Sequence, residues 1–292
     1  MKYLYFPGCS LKGTGKAYEE SLRAVFAELQ ITLEEIEDWN CCGATAYMSV
    51  DSNKAHALAS RNLALAEHQV NGKAKSVDMV VPCSACFLVL SKALRFLEND
   101  ALGERKVINA LQSIGLNYQG KVRVRHPLDV LVNDVGLAQI KAQIKRPLKG
   151  MKVASYYGCQ IVRPYAPFDD PYNPMTMDQL VETLGGSPVP WSLKSRCCGG
   201  SLTGTVKEVG LRLSYILLRE AQRLGAQLII TACPLCQFNL ECFQDEMKKR
   251  FEEPVDIPVV FFPQLMGRVF GLSDPALGMQ RLFTPMPAVA MV

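Results

Sequence analysis

The chain has 292 residues, of which 49% are hydrophobic, 21% are charged and eleven are cysteines, and its formal net charge is +4. This nearly balanced charge does not indicate binding to nucleic acid, and no apolar run approaches the ~20 residues that cross a bilayer. The first residues lack the pattern of a secretory signal, so we expect a cytoplasmic protein, in which numerous cysteines bind metal or catalyse rather than form disulfides.

The first half of the chain predicts strands and helices in alternation. The segment 2–6 is typical of a strand, and Pro7-Gly8 ends it, which places Cys9 in a loop at the strand's carboxyl end. The elements predicted after it are a helix over 17–29, a strand over 31–36, a helix over 53–70, a strand over 77–81 and a helix over 87–97. This alternation predicts the α/β class.

The second half of the chain repeats the first at an offset of 150, so that Gly8-Cys9 matches Gly158-Cys159. The repeat predicts two α/β halves related by a pseudo-twofold. Each half should have a small, largely parallel sheet flanked by helices, with cysteine-bearing loops at the strand ends. We expect one domain over residues 1–148, a second over 149–283, and a loose C-terminal tail over 284–292.

Ten of the eleven cysteines form two sets, each with a single cysteine, a Cys-Cys-Gly doublet and a pair spaced by two residues. The first set is Cys9, Cys41, Cys42, Cys83 and Cys86, and the second is Cys159, Cys197, Cys198, Cys233 and Cys236. Five thiols exceed the four ligands of one zinc, and adjacent thiolates can bond separate irons of a polynuclear cluster. The pattern favours an iron-sulfur cluster in each half, with zinc in the first site as the alternative.

Few other residues are candidates for chemistry. His126 could donate a proton to a departing thiolate, the alternative being a hydrogen-bonded loop histidine. Lys12 and Arg163 follow the first cysteine of each set and are candidates to bind an anionic group on a thiol substrate, the alternative being a solvated surface role. We expect no ligand role for His56, His68 or Cys242, and we expect Cys242 to be a buried thiol.

Two motifs of the first half carry a family resemblance. Tyr5-Phe6-Pro7-Gly8-Cys9-Ser10 and Asp38-Trp39-Asn40-Cys41-Cys42-Gly43, together with the complete second set, resemble the catalytic B subunits of heterodisulfide reductases, within the wider Cys-Cys-Gly domain family. The resemblance covers the whole chain. It implies that all ten cysteines ligate two noncubane [4Fe-4S] clusters and that a disulfide between the clusters receives one electron from each. Disulfide reduction takes two electrons, which matches the two sets.

The same resemblance implies an oxidoreductase acting on sulfur groups, which reduces or forms a heterodisulfide such as that of coenzymes M and B in methanogens. Related subunits of sulfur-metabolising bacteria leave the substrate and direction open. The chain has no dinucleotide fingerprint and no ferredoxin-type cysteine run, so we do not expect it to collect electrons from a soluble nicotinamide by itself. The resemblance implies two partners that supply them, the small iron-sulfur C subunit and the flavin-containing A subunit of such a complex. The alternatives are an electron-transfer component of a lactate, glycolate or glycerol 3-phosphate dehydrogenase complex, and a zinc-binding structural module.

Overall fold

The computed structural model describes residues 1–44, 47–70 and 76–286. They pack into two compact units that are not contiguous in sequence. The first unit consists of Met1–Cys9 and Gln30–Pro127, and the second consists of Ser10–Leu29 and the chain from Leu128 onward. These units are defined by which residues pack together, whereas the predicted boundary between residues 148 and 149 is defined by the sequence repeat. That boundary stays a prediction.

The first unit is built on a four-stranded parallel sheet. Its strands are β1 (Lys2–Tyr5), β2 (Thr32–Glu35), β3 (Val77–Val80) and β4 (Val122–Arg125). Their order is β2-β1-β3-β4, and each neighbouring pair is parallel. Val77, Met79 and Val80 of β3 are all buried. Burial on both sides of a central strand is typical of a parallel sheet with helices on its faces.

The helices up to residue 142 differ widely in length. In chain order they are α1 (Gly8–Leu11), α2 (Lys16–Glu28), α3 (Tyr47–Val50), α4 (Ser52–Gln69), α5 (Ser84–Asn99), α6 (Ala101–Gln112), α7 (Pro127–Asp129), a π-helical segment (Val130–Val135) and α8 (Leu137–Ala142). Aspartates cap two of the long helices. Asp51 accepts a hydrogen bond from the amide of Lys54 at α4, and Asp100 accepts one from the amide of Gly103 at α6.

The second unit repeats this architecture. Its strands are β5 (Lys152–Tyr156), β6 (Ser187–Pro188), β7 (Leu228–Thr231) and β8 (Val259–Phe261). Its helices are α9 (Thr176–Thr183), α10 (Leu202–Thr205), α11 (Lys207–Arg223), α12 (Pro234–Glu241), α13 (Gln244–Phe251) and α14 (Phe262–Val269), with short 3-10 helices at Pro275–Leu277 and Met279–Arg281. The parallel order β6-β5-β7-β8 is that of the first sheet, which confirms the predicted duplication of an α/β unit.

Helix α2 follows a strand of the first sheet but packs in the second unit. The ring of Tyr18 stacks on Phe261 with centroids 4.5 Å apart and meets the edge of Phe262 at 5.9 Å. At the helix surface, Glu20 pairs with Arg281 at 2.8 Å. The buried apolar face of α2 therefore belongs to the core of the second unit.

The predicted strands and helices of the first half are found, with ends that differ from the prediction by a few residues. The prediction that Cys9 lies in a loop is wrong, because α1 begins at Gly8 and the residue occupies the first turn. At the other end of the chain, residues 287–292 of the predicted tail lie outside the described residues, whereas Met286 is buried. Within the described ranges, no helix has both the length and the apolar character needed to cross a membrane.

Candidate metal centres

The first set of cysteines lies where three neighbouring strands end. Cys9 follows β1, the doublet follows β2, and Cys83 and Cys86 stand just before and within the first turn of α5, which follows β3. Because the carboxyl ends of parallel strands lie at one edge of a sheet, the fold brings these distant residues together. The Sγ atoms of Cys9 and Cys41 are 3.8 Å apart, and those of Cys42 and Cys86 are 3.2 Å apart.

The thiols of the first set share protons through hydrogen bonds. Hydrogen bonding with the thiols of Cys41 and Cys86 lowers the pKa of Cys42 to about 4, whereas hydrogen bonding with Cys42 raises the pKa of Cys41. A bond from Cys86 lowers the pKa of Cys83 despite its burial. One or more thiolates are therefore favoured inside the set at neutral pH, and the thiolate is the form of cysteine that binds metal.

The second set has the same placement. Cys159 follows β5, the doublet precedes α10, and Cys233 and Cys236 stand at the start of α12, which follows β7. The Sγ atoms of Cys198 and Cys236 are 3.6 Å apart. Hydrogen bonding with Cys159 lowers the pKa of Cys197 to about 6, and hydrogen bonding with Cys236 lowers that of Cys198 to about 7. The structure thus brings all five thiols of this set together as well.

Each set has a buried side and an open side. The buried thiols are Cys42, Cys83 and Cys86 in the first set and Cys198, Cys233 and Cys236 in the second. Cys9, Cys41 and Cys197 are exposed, and Cys159 is half-buried. A molecule from solvent can therefore reach a set from the side of its single cysteine and the first cysteine of its doublet.

A matched pair of glycines lies against the buried thiols. A Cβ at Gly8 would lie 2.8 Å from Sγ of Cys86, and one at Gly158 would lie 2.9 Å from Sγ of Cys236. Both glycines have φ of +68°, a conformation that other residues rarely adopt. The repeat therefore preserves both the backbone shape and the close approach of the main chain to the second thiol of the spaced pair.

Buried polar residues surround Cys198, and sequence reasoning missed them. The side-chain amide of Asn239 donates to Sγ of Cys198 at 3.4 Å, and the hydroxyl of Ser214 donates to the carbonyl of Cys198 at 2.8 Å. Asn239 lies three residues after Cys236 on α12, and residues three apart share a helix face. That spacing is the signal by which the sequence could have indicated it.

The histidines occupy different environments. His126 is fully buried, its Nε2 lies 3.1 Å from the carbonyl of Pro82, and the edge of its ring meets Phe87. His56 is buried and stacks on Phe96 with centroids 4.0 Å apart. His68 is exposed on α4. Of the three, His126 is the one whose ring contacts residues next to cysteines of the first set.

The remaining candidates are partly exposed. Lys12 pairs with Glu19 at 2.8 Å. The guanidinium of Arg163 donates to the carbonyl of Ser195, and its charge contributes to the lowered pKa of Cys197. Cys242 is half-buried at the end of α12, and burial raises its pKa to about 11. Its pKa is thus shifted in the opposite direction to the lowered pKa values of Cys197 and Cys198.

The donor chemistry of each set fits iron and sulfide. Two thiolates at about 2.3 Å from one tetrahedral metal lie about 3.8 Å from each other. The Sγ separations of 3.8 Å for Cys9 and Cys41 and 3.6 Å for Cys198 and Cys236 are of this size, whereas Cys42 and Cys86 are closer, at 3.2 Å. In the described part of the chain, no group of three or more His, Cys, Asp or Glu side chains is placed to hold a single metal ion. The thiols meet in pairs, an arrangement that suits a cluster whose irons bond different thiolates.

The chain matches one domain family twice. The family model described as the cysteine-rich domain matches residues 3–91 and 153–241. These ranges contain both five-thiol sets and exclude Cys242. The family match therefore coincides with the two groups of thiols that the fold brings together.

Several known proteins are similar over nearly their full length. The 8-methylmenaquinol:fumarate reductase membrane anchor subunit of Wolinella succinogenes is 32% identical, with 95% of each chain covered. A protein of Archaeoglobus profundus described as like the B subunit of heterodisulfide reductase is also 32% identical, covering 94% of this chain and 92% of the relative. The B subunit of the ferredoxin/F(420)H(2)-dependent CoB-CoM heterodisulfide reductase of Methanosarcina acetivorans is 29% identical, covering 96% and 93%.

The fold is also found among solved structures. The crystal structure of a hypothetical protein from Helicobacter pylori superposes with a TM-score of 0.76 over 98% of this chain. The match covers 52% of that protein, and the two sequences are 15% identical. At that identity the likeness establishes the architecture alone.

Proposed function

The chain belongs to the cysteine-rich Cys-Cys-Gly domain family, and on that premise we propose that it is the catalytic iron-sulfur subunit of an oxidoreductase complex that reduces or forms a heterodisulfide. The observation that carries the proposal is the duplication of a convergent five-thiol set. Opening a disulfide requires two electrons, and two sets can deliver one each. The relatives named as B subunits of heterodisulfide reductases support the substrate class.

In this proposal each set holds one noncubane [4Fe-4S] cluster. The proposed ligands are Cys9, Cys41, Cys42, Cys83 and Cys86 for the first cluster and Cys159, Cys197, Cys198, Cys233 and Cys236 for the second. When bound, the clusters would supply the two electrons that, with two protons, convert one disulfide into two thiols. Zinc in the first set is the competing proposal, and metal analysis distinguishes the two.

The chain's own residues would position the substrate on the open side of each set. Exposed Cys41 and Cys197 mark that side, whereas three other thiols of each set are buried from solvent. Arg163 is the better placed candidate for an anionic substrate group, because Lys12 is already paired with Glu19. His126, the proton-donor candidate, is fully buried and its Nε2 lies 3.1 Å from the carbonyl of Pro82, which favours its alternative role as a hydrogen-bonded loop histidine.

The electrons would reach this chain through other proteins of the complex. We propose that a small iron-sulfur protein, the C subunit of such complexes, lies next to it, and that the flavin-containing A subunit lies behind that, in a cytoplasmic complex. The relatives named as B subunits support an assembly of several different chains. We propose no nucleic-acid partner, because the net charge of +4 on 292 residues is small.

Metal analysis of the anaerobically purified protein tests the cluster proposal. We expect about eight irons and a similar amount of acid-labile sulfide per chain, since each of two clusters would hold four irons. Mixing the dithionite-reduced complex with the mixed disulfide of coenzymes M and B should then reoxidise the clusters and release thiol. Zinc with little iron, or a single ordinary cubane, would contradict the proposal.

The Wolinella relative favours a second candidate function. It carries the name of a subunit of a quinol:fumarate reductase, and its similarity covers 95% of both chains. This chain would then transfer electrons between other redox centres of a complex without disulfide chemistry. In that case the reduced clusters would be oxidised by the partner proteins but not by the mixed disulfide, which separates the two functions in one experiment.

A further inference from the structure

The amide of Asn239 is directed at a proposed cluster ligand from inside the protein. Asn239 is fully buried, and Cys198 is 3% exposed. The Nδ2 atom of Asn239 lies 3.4 Å from Sγ of Cys198 and 2.9 Å from the carbonyl oxygen of Gly200. An amide nitrogen has two hydrogens, so it can donate to both acceptors at once.

The neighbours of Asn239 fix the orientation of its amide. The carbonyl of Gly200 only accepts hydrogen bonds, so it requires the NH2 side of the amide. The hydroxyl of Thr203 donates to Oδ1 at 2.9 Å and holds the opposite side. A flipped amide would place two oxygens against each other at the Gly200 carbonyl. The group that faces Cys198 is therefore an N–H donor.

The matching position in the first unit lacks this donor. At the offset of 150, Asn239 corresponds to Val89, which follows Cys86 by the same three residues and is also buried. A valine side chain has no hydrogen-bonding group. Although the two units share sheet order, cysteine placement and glycine contacts, they differ at this point.

We propose that the two cluster sites have unequal reduction potentials and that Asn239 raises the potential of the second. The inference rests on the proposed function, since it concerns the clusters. Reduction adds negative charge to a cluster and its thiolates, and an N–H donor stabilises that charge more strongly in the reduced state. The interaction is strong in a buried site because the local dielectric is low. Asn239 is thus a positioning residue that tunes Cys198, and the second cluster accepts an electron more readily.

The positive charge on Arg163, like the amide of Asn239, raises the reduction potential of the second cluster. Its guanidinium donates to the carbonyl of Ser195, two residues before Cys197. The position that matches Arg163 in the first half is Gly13, and the neighbouring cation, Lys12, is paired with the carboxylate of Glu19 at 2.8 Å. A cation near the second set favours the reduced cluster, although partial exposure and salt weaken its effect.

A redox titration of the cluster-loaded complex, followed by EPR and visible absorption, tests the proposal. Asn239→Val introduces the residue of the first unit. Each cluster has one oxidised/reduced couple, and we expect one of the two couples to become harder to reduce. At a fixed potential, its ratio of reduced to oxidised cluster should fall about tenfold, which is equivalent to a reduction potential lower by about 59 mV for one electron. The other couple should not change. Thr203→Val should shift the same couple in the same direction by less.

Ser214→Ala is the matched control, because this hydroxyl binds the carbonyl of Cys198 rather than its sulfur. In this variant the ratio of reduced to oxidised cluster should change by no more than about twofold for either couple, since the substitution alters no contact to a ligand atom. Iron is measured in every variant. Two unchanged couples in Asn239→Val at full iron content would overturn this inference and leave the proposed function standing. If Asn239→Val loses iron, unchanged couples in Thr203→Val overturn it. Wild-type protein without iron would contradict the proposed function itself.

Discussion

Lys194 and Asp178 form an ion pair that is almost entirely removed from solvent: Nζ and Oδ1 are 2.8 Å apart, and the two side chains are 6% and 2% exposed. Lys194 also donates to the carbonyl of Pro174, and its own carbonyl accepts the amides of Tyr157 and Gly158. The pair therefore joins the segment before α9 to the main chain that leads into Cys159.

Lys194→Met should destabilise the protein strongly. Removing the ammonium leaves the Asp178 carboxylate buried without its partner, and a broken buried pair costs about 3–5 kcal/mol of unfolding free energy. Burial already raises the pKa of Asp178 although Lys194 opposes the shift, so the carboxyl group of the variant should be protonated at higher pH. Denaturant unfolding measures the loss. Lys207→Met breaks an exposed pair with Glu246 and should cost no more than about 1 kcal/mol; an equal loss in both would contradict the prediction.

Gly158→Ala should disturb the second thiol set. The new methyl group would lie 2.9 Å from Sγ of Cys236, and alanine is strained at φ of +68°. We expect the free energy of unfolding to fall by about 2–4 kcal/mol, because the new methyl group overpacks the site and alanine is strained in a left-handed backbone conformation. The iron content of the second site should fall as well. Gly120→Ala separates these causes, because Gly120 has φ of +74° with nothing within 4 Å of the new Cβ. That control should lose stability from the backbone alone and keep its iron.

Cys198→Ser should remove the second cluster and keep the first. We expect the iron content to fall by about half, because the serine hydroxyl is a poor substitute for a buried thiolate ligand. Cys242→Ser is the control, since that thiol lies outside both sets and should leave the iron content unchanged. Iron and sulfide analysis of both variants is sufficient. Equal iron in Cys198→Ser and the wild type would refute the ligand assignment.

The stability of the second unit should fall as the pH rises from about 4.5 to 7. Burial raises the pKa of Glu241 from 4.5 to about 7, although the amides of Phe283 and Thr284 donate to its carboxyl group. The folded protein therefore holds this proton more tightly than the unfolded chain, so the stabilisation is complete below pH 4.5 and is lost as the pH passes 7. At about 1.4 kcal/mol per pKa unit, the free energy of unfolding should fall by about 3 kcal/mol over this pH range.

Glu241→Gln removes this titration and provides the measurement. The unfolding free energy of the wild type minus that of the variant should fall between pH 4.5 and pH 8 by the amount given above. Glu220→Gln is the control, because the hydrogen bond from Arg223 lowers the pKa of this half-buried carboxyl group, so the stability should depend weakly on pH with the opposite sign. A pH-independent difference for Glu241→Gln would show that the buried carboxyl group does not hold its proton.

The local sequence pattern predicts the strands and helices of this fold better than it predicts the tertiary contacts between their side chains. The strand at Lys2–Tyr5 and the cysteines after it follow from apolar runs, turn residues and the repeat. The pairing of Lys194 with Asp178 could not be predicted, because the two residues are sixteen positions apart in sequence and neither belongs to a motif. The spacing of Asn239 from Cys236 places both on one helix face, but the orientation of its amide depends on Thr203 and Gly200, which approach it only in the folded chain.

The tertiary contacts of helix α2 could not be predicted from local sequence either, and they affect how the chain folds during translation. Tyr18 and its stacking partner Phe261 are 243 positions apart (261 minus 18). During synthesis, the helix leaves the ribosome long before the surface that buries it exists. The second unit can close only when nearly the whole polypeptide has been translated, so a chain terminated at the midpoint of the repeat would expose an apolar helix that chaperones recognise.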